Sequence, residues 1–517
     1  METAVFLSFA VLLLSALILL LGLRRRNLPP TVPGGLPIFG HLLLLGRQRQ
    51  PLHRALADFS AAHGPSLLLR FASLRVLLIS SPFAAGECLN TNDVAFANRP
   101  FLLAGKFLAF DYSSVGVAPY GPYWRDLRRI LTAELLSPSR LQSFAGARAD
   151  EVCSLLRCLF SQSTFNWFEV EMRQKLTDLT FNTVMRMIDG KRYHGETLSV
   201  TAENGRRFQR IVQEVFRLSG AACLEDYLPA MRWLGLGGMT KRMKKLGEEM
   251  DVLFQGMVDE RRLRRRSPEM MEEKEEKTIV DVMLELQQDE PAQPGNYSDK
   301  VIKGMISGII LAGTDTSAST VEWALSLLLN HPEALQKARE EIDGQIGHDH
   351  LISDSDLHRL PYLHNVVKET LRLFPAAPLL LAHHSSRACT IQGYGEVPGG
   401  TMLLINAYAI HRDPRWWKEA ERFKPERFEE GEELGGSDQG FRFLPFGSGR
   451  RRCPGEALAH RMMGLALGAL IQCFEWERVG KELVDLREGE GLTMPKLIPL
   501  KAMCRPRQVM INVLSHL

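Results

Sequence analysis

A single cysteine in a loop rich in glycine and arginine constrains this chain more than any other feature. The loop reads FGSGRRRCPG over residues 446–455 and leads into an apolar helical pattern over residues 457–474. Backbone N–H groups and the helix dipole favour a thiolate at Cys453. Gly449 and Gly455 permit unusual backbone angles and let a flat ligand approach the chain. With three arginines available to pair with carboxylates, the loop predicts a haem held by a proximal cysteine rather than a buried structural cysteine.

Two further segments place polar residues where a plain helix would not need them. The segment ETLR begins at Glu369 and ends at Arg372, so the two charged side chains share one helix face. On its own this pair is also compatible with an ordinary surface ion pair. The segment AGTDTS, residues 312–317, lies midway along a long helical pattern although glycine, threonine and aspartate are poor helix formers. Hydroxyl groups there can bond to the preceding turn, open the helix locally and admit water.

Taken together, these motifs resemble those of the cytochrome P450 enzymes, whose haem signature is FxxGxRxCxG. The resemblance covers essentially the whole chain. It implies that Cys453 is the axial ligand of the haem iron, that Arg451 contacts a haem propionate, and that Phe446 packs over the cysteine sulfur and tunes the iron. Gly449 and Gly455 would allow the macrocycle to approach the backbone.

The resemblance also assigns roles outside the cysteine loop. It implies a buried structural network of Glu369, Arg372 and Arg427, the last from the segment PERF. Asp315 and Thr316 would be catalytic residues that relay protons during dioxygen activation. The family's WxxxR motif implies that Trp124 and Arg128 bind haem propionates. His383 falls where the family often has a further propionate partner, although a polar histidine at a strand end is the alternative.

The first forty residues predict a membrane anchor followed by a hinge. Residues 4–23 are apolar apart from two serines and a glycine, and a helix of that length reaches about 30 Å, enough to span a bilayer. Three arginines at 24–26 place the body of the protein in the cytosol. A cleaved signal peptide is the alternative, but the basic cluster lies on the wrong side for one. Prolines at 29, 30, 33 and 37 exclude a helix and predict a stiff extended connector.

The remaining chain predicts one large, mainly α-helical domain with a minor β-sheet region, the cytochrome P450 fold by resemblance. Long helical patterns dominate residues 141–345, short strand patterns lie within residues 66–80, and strands, turns and loops follow residue 375. We therefore expect an anchor with its basic stop at 1–26, a hinge at 27–40, and a haem-thiolate catalytic domain at 41–517. A net charge of +3 gives no argument for nucleic-acid binding.

Finer features resemble the plant group that contains isoflavone 2′- and 3′-hydroxylases. They include ANRP at 97–100, NAYAIHRDP at 406–414 and GLTMPK at 491–496. One departure is AHHSS at 382–386, where relatives usually have PHESS. We expect the lost proline to shift the strand there and to loosen the pocket wall, so the substrates of relatives do not transfer directly to this chain. By family analogy, the substrate pocket includes the following residues: Phe107, Phe110, Tyr112, Phe216, Gly308, Ala312, Ala377, Leu380, Leu381 and Met494.

The expected reaction is hydroxylation of a small apolar or aromatic plant metabolite, similar to a flavonoid or phenylpropanoid, with haem b and O2. No flavin-binding pattern is evident, so electrons are expected from NADPH through a separate cytochrome P450 reductase, with cytochrome b5 as a possible second donor. The alternatives are methylenedioxy-bridge closure, oxidative phenol coupling, terpenoid oxidation, a peroxide-using isomerase or dehydratase, and a non-enzymatic haem protein. The expected location is the endoplasmic reticulum membrane, with a single pass and contact with lipid. A glycan at the sequon of Asn296 would contradict that topology.

Overall fold

The computed structural model describes residues 28–47, 50–163, 166–195, 202–220, 223–228, 231, 238–266, 277–289, 297–429 and 439–517. The expected anchor at 4–23, the arginines that follow it and the sequon at Asn296 lie outside these residues. No helix within the described ranges is both long and apolar enough to cross a membrane.

Helices form most of the described chain, which confirms the expected mainly α-helical architecture with minor sheets. The long helices are α1 (Leu52–His63), α2 (Ala145–Gln162), α3 (Met172–Ile188), α4 (Ala202–Gly220), α5 (Gly238–Arg266), α6 (Ile279–Asp289), α7 (Asp299–Gly313), α8 (Asp315–Asn330), α9 (Pro332–Gln345), α10 (Pro361–Leu373) and α11 (Glu456–Cys473). Shorter α-helices are Leu42–Arg47, Pro82–Gly86, Asp93–Phe96, Leu103–Leu108, Pro122–Arg129, Pro138–Ser143, Leu224–Tyr227, Ala407–Ile410 and Ile511–Ser515. The π-helical segments are Glu87–Thr91 and Ile130–Leu135, and the 3-10 segments are Leu357–Arg359, Pro425–Phe428, Gln439–Arg442, Gly449–Arg451 and Gln508–Met510.

Three small sheets lie beside the helices. Their strands are β1 (Ser66–Phe71), β2 (Leu74–Ile79), β3 (Phe168–Glu171), β4 (His383–His384), β5 (Cys389–Ile391), β6 (Gly395–Val397), β7 (Met402–Ile405), β8 (Phe474–Arg478) and β9 (Lys501–Pro506). The strand orders are β1-β2-β7-β4, β3-β9-β8 and β5-β6. Among the strands that the described residues form, β2 and β7 are the parallel pair, with Val76 opposite Met402. Strand β4 pairs antiparallel with β7, so the departure at 382–386 still forms a strand.

Two helices at the centre of the molecule are buried on every side. Residues 317–329 of α8 and residues 462–473 of α11 are all buried. Both helices join α9 and α10 in one apolar cluster, in which the rings of Trp323 and Phe374 stack at 3.8 Å. The cysteine loop, at the start of α11, is therefore joined to the buried core of the molecule.

Prolines begin two of the helices around this core, and Thr314 separates two others. Helices α9 and α10 both begin at a proline, whose fixed φ suits the first helical turn. The long helical pattern expected around AGTDTS is present but is divided at Thr314 into α7 and α8. The proline segment at 28–40 contains no helix, as expected, but it forms turns rather than a free extended connector. It packs on β1 because the Leu68 N–H donates to the Pro30 carbonyl at 2.7 Å.

Candidate functional site

The cysteine loop is closed by its own backbone. The Cys453 N–H donates to the Phe446 carbonyl at 2.9 Å, so the two ends of the loop are held together. Gly449 has a φ of 67°, and a Cβ added there would collide with the Leu89 carbonyl oxygen. Both facts require glycine at this position. The ring of Phe446 packs 5.1 Å from that of His460 on α11, which fixes the ring beside the loop.

One expectation for this loop is wrong. Gly455 has a φ of −89°, which any residue adopts, so no unusual backbone angle is present there. A Cβ at this position would lie 3.8 Å from the Cys453 sulfur, so the residue's effect is to leave space beside the thiol. Burial also raises the pKa of Cys453, and it outweighs the Gly455 N–H and the charges of Arg128 and Arg452, which lower it. Burial thus opposes the thiolate that the Gly455 N–H favours, and a coordinated metal ion would favour the thiolate.

Three guanidinium groups form a cationic cluster (Arg99, Arg128 and Arg451) beside the cysteine loop. Burial lowers the pKa of Arg99 to about 9, with Arg451 contributing, and lowers that of Arg451 to about 10, with Arg128 contributing. The Arg128 side chain is half-buried, and it makes no hydrogen bond or ion pair within the described part of the chain. Asp93 is the carboxylate that offsets the charge of Arg451. The excess of buried positive charge fits an anionic ligand.

The cluster is held in place by backbone carbonyls. Arg451 donates to the carbonyls of Ala97, Val115 and Ala118 at 2.7, 3.0 and 2.6 Å. Arg99 donates to those of Gly116, Leu381 and Ala382 at 3.0, 2.6 and 2.9 Å. These bonds use only some of the N–H groups that each guanidinium carries. Both arginines therefore tie separate loops together and still have N–H groups for a ligand.

Trp124 and His383 lie beside the cluster with their polar atoms already engaged. The Trp124 N–H donates to the Val115 carbonyl at 3.0 Å, and its ring lies under Arg451 at 4.4 Å. This tryptophan has no second donor for a carboxylate. His383 is buried, and its Nδ1 donates to the Phe96 carbonyl at 2.9 Å. Burial and then Arg99 lower the pKa of His383, so its Nε2 is an acceptor in the neutral ring.

Glu369, Arg372 and Arg427 meet in one buried network. The Glu369 carboxylate accepts from Nε and Nη2 of Arg372 at 2.7 and 2.8 Å and from Nε of Arg427 at 3.0 Å. Arg372 also donates to the His411 carbonyl at 2.7 Å. The His411 ring in turn accepts from the Leu444 N–H at 2.8 Å. The network thus reaches the segment that leads directly into the cysteine loop.

The interruption between α7 and α8 lies in the segment AGTDTS. Thr314 has φ −89° and ψ −73°, outside the regular helix on both sides. The Thr314 hydroxyl donates to the Ile310 carbonyl at 2.8 Å, and the Thr316 hydroxyl donates to the Ala312 carbonyl at 2.5 Å. Ala312 is exposed although it lies on a central helix. The local opening of the helix expected from the sequence is present as this interruption, and it lies beside the exposed Ala312.

Asp315 points away from that opening toward the C-terminal part of the chain. Its Oδ2 accepts from the Thr493 hydroxyl at 2.5 Å. Burial raises the pKa of Asp315, while the Thr493 hydrogen bond and the charge of Arg173 oppose that rise. Thr316 is half-buried beside the opening. The two residues expected to handle protons thus lie on different sides of the same helix start.

The expected pocket residues divide into three groups. Ala312 and Leu381 are exposed. The partly buried group contains Phe107, Phe110, Tyr112, Phe216, Gly308, Ala377 and Leu380. Phe110 and Tyr112 have φ of 49° and 61°, so their segment turns left-handed. Met494 is only 1% exposed, and its side chain belongs to the core cluster rather than to open space.

Sequence reasoning gave Arg99 and His411 no role in this site, and it did not connect Thr493 with Asp315. Arg99 and His411 stand in segments that the sequence marks only as features of a plant group. Their roles depend on burial, and the pattern of residues along the sequence does not reveal which polar residues are buried. Thr493 lies 178 residues from its partner, so no local spacing connects them.

A buried thiol loop at a helix start, with a cationic cluster beside it, fits a haem whose iron takes the sulfur and whose two propionates take the guanidiniums. The fold and the site thus define a haem-thiolate protein. A family model described as cytochrome P450 matches residues 29–501. The chain belongs to the cytochrome P450 family.

Individual relatives cover nearly the whole chain. A protein of Catharanthus roseus, cytochrome P450 81Q32, is 46% identical over 511 residues, which is 99% of this chain and 98% of that one. Isoflavone 3′-hydroxylase of Medicago truncatula is 46% identical over 486 residues, 93% of each chain. Isoflavone 2′-hydroxylase of Glycyrrhiza echinata is 42% identical over 521 residues, 100% of each. The expected kinship with the isoflavone hydroxylase group is confirmed.

The fold is also shared with solved structures. A zebra fish cytochrome P450 solved with progesterone superposes with a TM-score of 0.73 at 24% identity, over 89% of this chain and 100% of that one. At that identity the likeness shows the fold alone. Family membership makes the protein a cytochrome P450 monooxygenase with haem b as its cofactor and O2 as a co-substrate. A reductase supplies it with electrons from NADPH, and its substrate is a small molecule.

Proposed function

We propose that the enzyme hydroxylates a small aromatic plant metabolite of the flavonoid or phenylpropanoid class. The balanced reaction is RH + O2 + NADPH + H⁺ → ROH + H2O + NADP⁺. The observation that carries the proposal is the likeness, over almost the full chain, to isoflavone 2′- and 3′-hydroxylases at 42–46% identity. Aromatic side chains at Phe107, Phe110 and Phe216 support it because they suit a flat aromatic ligand.

The site residues have complementary roles in this proposal. Haem, when bound, supplies the reduction of dioxygen and the oxidation of the substrate C–H bond. Cys453 provides the sulfur ligand, and the space beside Gly455 leaves that sulfur accessible. The unpaired guanidinium of Arg128 and the remaining N–H groups of Arg99 and Arg451 hold the propionates.

Trp124 and His383 then support the cluster rather than bind the propionates themselves. The single N–H of Trp124 is committed to Val115, and its ring stabilises Arg451 from below. His383 fixes the strand at Phe96 through Nδ1. This assignment departs from the one that the family resemblance implies.

Proton supply is the proposed task of Asp315 and Thr316. We propose that water enters at the interruption between α7 and α8, where Ala312 is exposed and Thr316 is half-buried. A buried carboxylate with a raised pKa is suited to accept and pass on a proton near neutral pH. Glu369, Arg372 and Arg427 have a structural task, because they connect α10 to the approach of the cysteine loop.

Membrane attachment completes the proposal. We propose an anchor at 1–26, a hinge at 27–40 and a catalytic domain at 41–517, in the endoplasmic reticulum membrane with the domain facing the cytosol. The apolar run at 4–23 and the arginines after it support this. Membrane lipid and cytochrome b5 are the proposed further contacts.

A second product class is favoured by one relative. (+)-Piperitol/(+)-sesamin synthase of Sesamum radiatum is 44% identical over 491 residues. The same haem site could therefore close a methylenedioxy bridge on a lignan instead of releasing a hydroxylated product. Both reactions place the same demands on Cys453, so product analysis separates them.

The test begins with a reduced, carbon-monoxide difference spectrum of membranes that express the chain. A strongly red-shifted Soret band that disappears in Cys453→Ser is expected from thiolate ligation. Turnover is then measured by mass spectrometry with NADPH, reductase and a panel of isoflavones, flavones, lignans and terpenoids. A normally folded protein without the band would refute the haem-thiolate assignment, and turnover of terpenoids alone would refute the aromatic substrate class.

A further inference from the structure

The loop at residues 493–500, here called the C-terminal loop, is fastened along one face of α8. Ser319 and Trp323 both donate to the Met494 carbonyl, at 3.3 and 2.8 Å. The Leu500 N–H donates to Glu322 at 2.8 Å. Asp315 adds the first contact of the series through Thr493. Spacings of three and four residues place these side chains on the same helix face, so the loop follows the helix from its first turn.

We propose that Thr493 is a positioning residue for proton delivery: its hydroxyl holds the Asp315 carboxylate toward the C-terminal loop and so controls when Asp315 serves the opening at Thr314. The inference rests on the proposed function, because it assumes that Asp315 relays protons. It adds that the contact between helix and loop, rather than Asp315 alone, sets the fraction of electrons that reach product.

The surroundings of Asp315 support this role for Thr493. Thr493 is the one hydrogen-bond donor to the Asp315 carboxylate found within the described residues. The charged group that faces the carboxylate is Arg173 of α3, and its guanidinium is engaged by Glu322 at 3.1 Å and by the Lys496 carbonyl at 2.7 Å. A hydrogen bond to a charged group is worth roughly a tenfold to a hundredfold bias between two orientations. Loss of the Thr493 hydroxyl therefore frees Asp315 to turn.

The consequence appears in how electrons are used. When Asp315 delivers protons as the electrons arrive, each NADPH consumed gives one product molecule and one water. When proton delivery does not keep pace with electron transfer, the electrons leave as hydrogen peroxide: O2 + NADPH + H⁺ → H2O2 + NADP⁺.

The experiment compares three variants of the full chain in membranes with NADPH–cytochrome P450 reductase. Thr493→Val removes the hydroxyl, Thr493→Ser restores it, and Ser319→Ala removes a neighbouring loop anchor that does not touch Asp315. NADPH consumption, product and peroxide are measured with the panel compound that wild type turns over fastest, and again without substrate. We expect Thr493→Val to lower product per NADPH at least threefold and to raise peroxide correspondingly, with an unchanged carbon-monoxide band. Thr493→Ser and Ser319→Ala are expected to stay within a factor of 1.5 of wild type.

Either of two results would overturn the inference. One is wild-type coupling in Thr493→Val, and the other is an equal loss in Ser319→Ala, which would show that loop anchoring in general is responsible. Asp315→Asn with and without Thr493→Val gives a second check, because residues acting through one another are not additive and the double variant should be no worse than Asp315→Asn. Failure of the proposed function is separate: wild type would then turn over no aromatic compound, while peroxide per NADPH without substrate still tests Thr493.

Discussion

Replacement of Glu369 by glutamine tests the buried network with the least change in shape. The Glu369 side chain is 0% exposed, as is that of Arg372. Its carboxylate accepts from two nitrogens of Arg372, from Arg427 at 3.0 Å and from the Lys424 N–H at 2.9 Å. Glutamine keeps the volume but removes the charge, and its NH2 group must face a donor. Glu369→Gln therefore leaves a buried guanidinium without its counter-charge.

The expected cost follows from that burial. Removing one partner of a buried ion pair costs about 3–5 kcal/mol, because the remaining charge stays out of water. The entropy of unfolding is about 2.1 cal/mol/K per residue, or roughly 1 kcal/mol/K for a catalytic domain of about 480 residues. The midpoint of thermal unfolding should thus fall by about 3–5 °C. Because Arg372 reaches the cysteine loop through His411, the carbon-monoxide band should be lost in parallel.

The assay follows circular dichroism and the carbon-monoxide band during heating of wild type, Glu369→Gln and Glu419→Gln. The control makes the same chemical change at an exposed residue, whose partner Arg422 lies 3.0 Å away at the surface. Exposed pairs contribute little, so the control midpoint should match wild type. A midpoint within 1 °C of wild type for Glu369→Gln would refute the reasoning. An equal drop in the control would show that any lost acid has this effect.

Three further predictions concern the loop, the cluster and acid stability. Gly449→Ala should abolish the carbon-monoxide band, because its Cβ would collide with a backbone oxygen. Gly447→Ala should keep the band at a cost of about 1–2 kcal/mol in stability, because its φ is also 67° but its Cβ would meet only the Leu380 side chain, at 3.9 Å. Arg128→Ala should weaken haem retention roughly tenfold or more in transfer to apomyoglobin, because it removes an unpaired cation beside Cys453, while the exposed neighbour variant Arg129→Ala should not. Burial of Glu488 by itself raises its pKa, but hydrogen bonds from the two basic residues beside it lower that pKa to about 2. Its folded pKa is below the ordinary 4.5, so it contributes about 3 kcal/mol above pH 4.5 that is lost as the pH falls toward 2. The difference in unfolding free energy between wild type and Glu488→Gln, from urea titrations, should therefore narrow from pH 6 to pH 3, and a constant difference would contradict the assignment.

Features that depend on local sequence could be predicted closely. The helix expected at 457–474 is α11, and the pair Glu369 and Arg372 lies on one helix as their spacing requires. The interruption inside AGTDTS also followed from local chemistry, because Thr314 and Thr316 bond to the carbonyls four residues before them. Each of these depends on residues within one or two helical turns, which a single sequence displays.

Features that depend on burial could not be read in this way. The direction of the Cys453 pKa shift is set first by burial, and the hydrogen bond from the Gly455 N–H, which lowers the pKa, is the weaker effect. Gly455 has an ordinary backbone angle, and what its missing side chain provides is space beside the Cys453 sulfur. Contacts such as that of Asp315 with Thr493 join distant segments, and only the folded chain brings them together.

The cationic cluster shows why folding and haem binding must be linked in this protein. Arg99 and Arg451 are 7% and 9% exposed. The charge of Arg451 lowers the pKa of Arg99, and the charge of Arg128 lowers the pKa of Arg451. Burying like charges together opposes folding, and backbone carbonyls offset only part of that cost. A ligand that brings two carboxylates to this cluster and a metal ion to Cys453 satisfies the arginines and ionises the thiol in one event. Because such a ligand binds the folded state alone, its binding free energy adds directly to the stability of the fold.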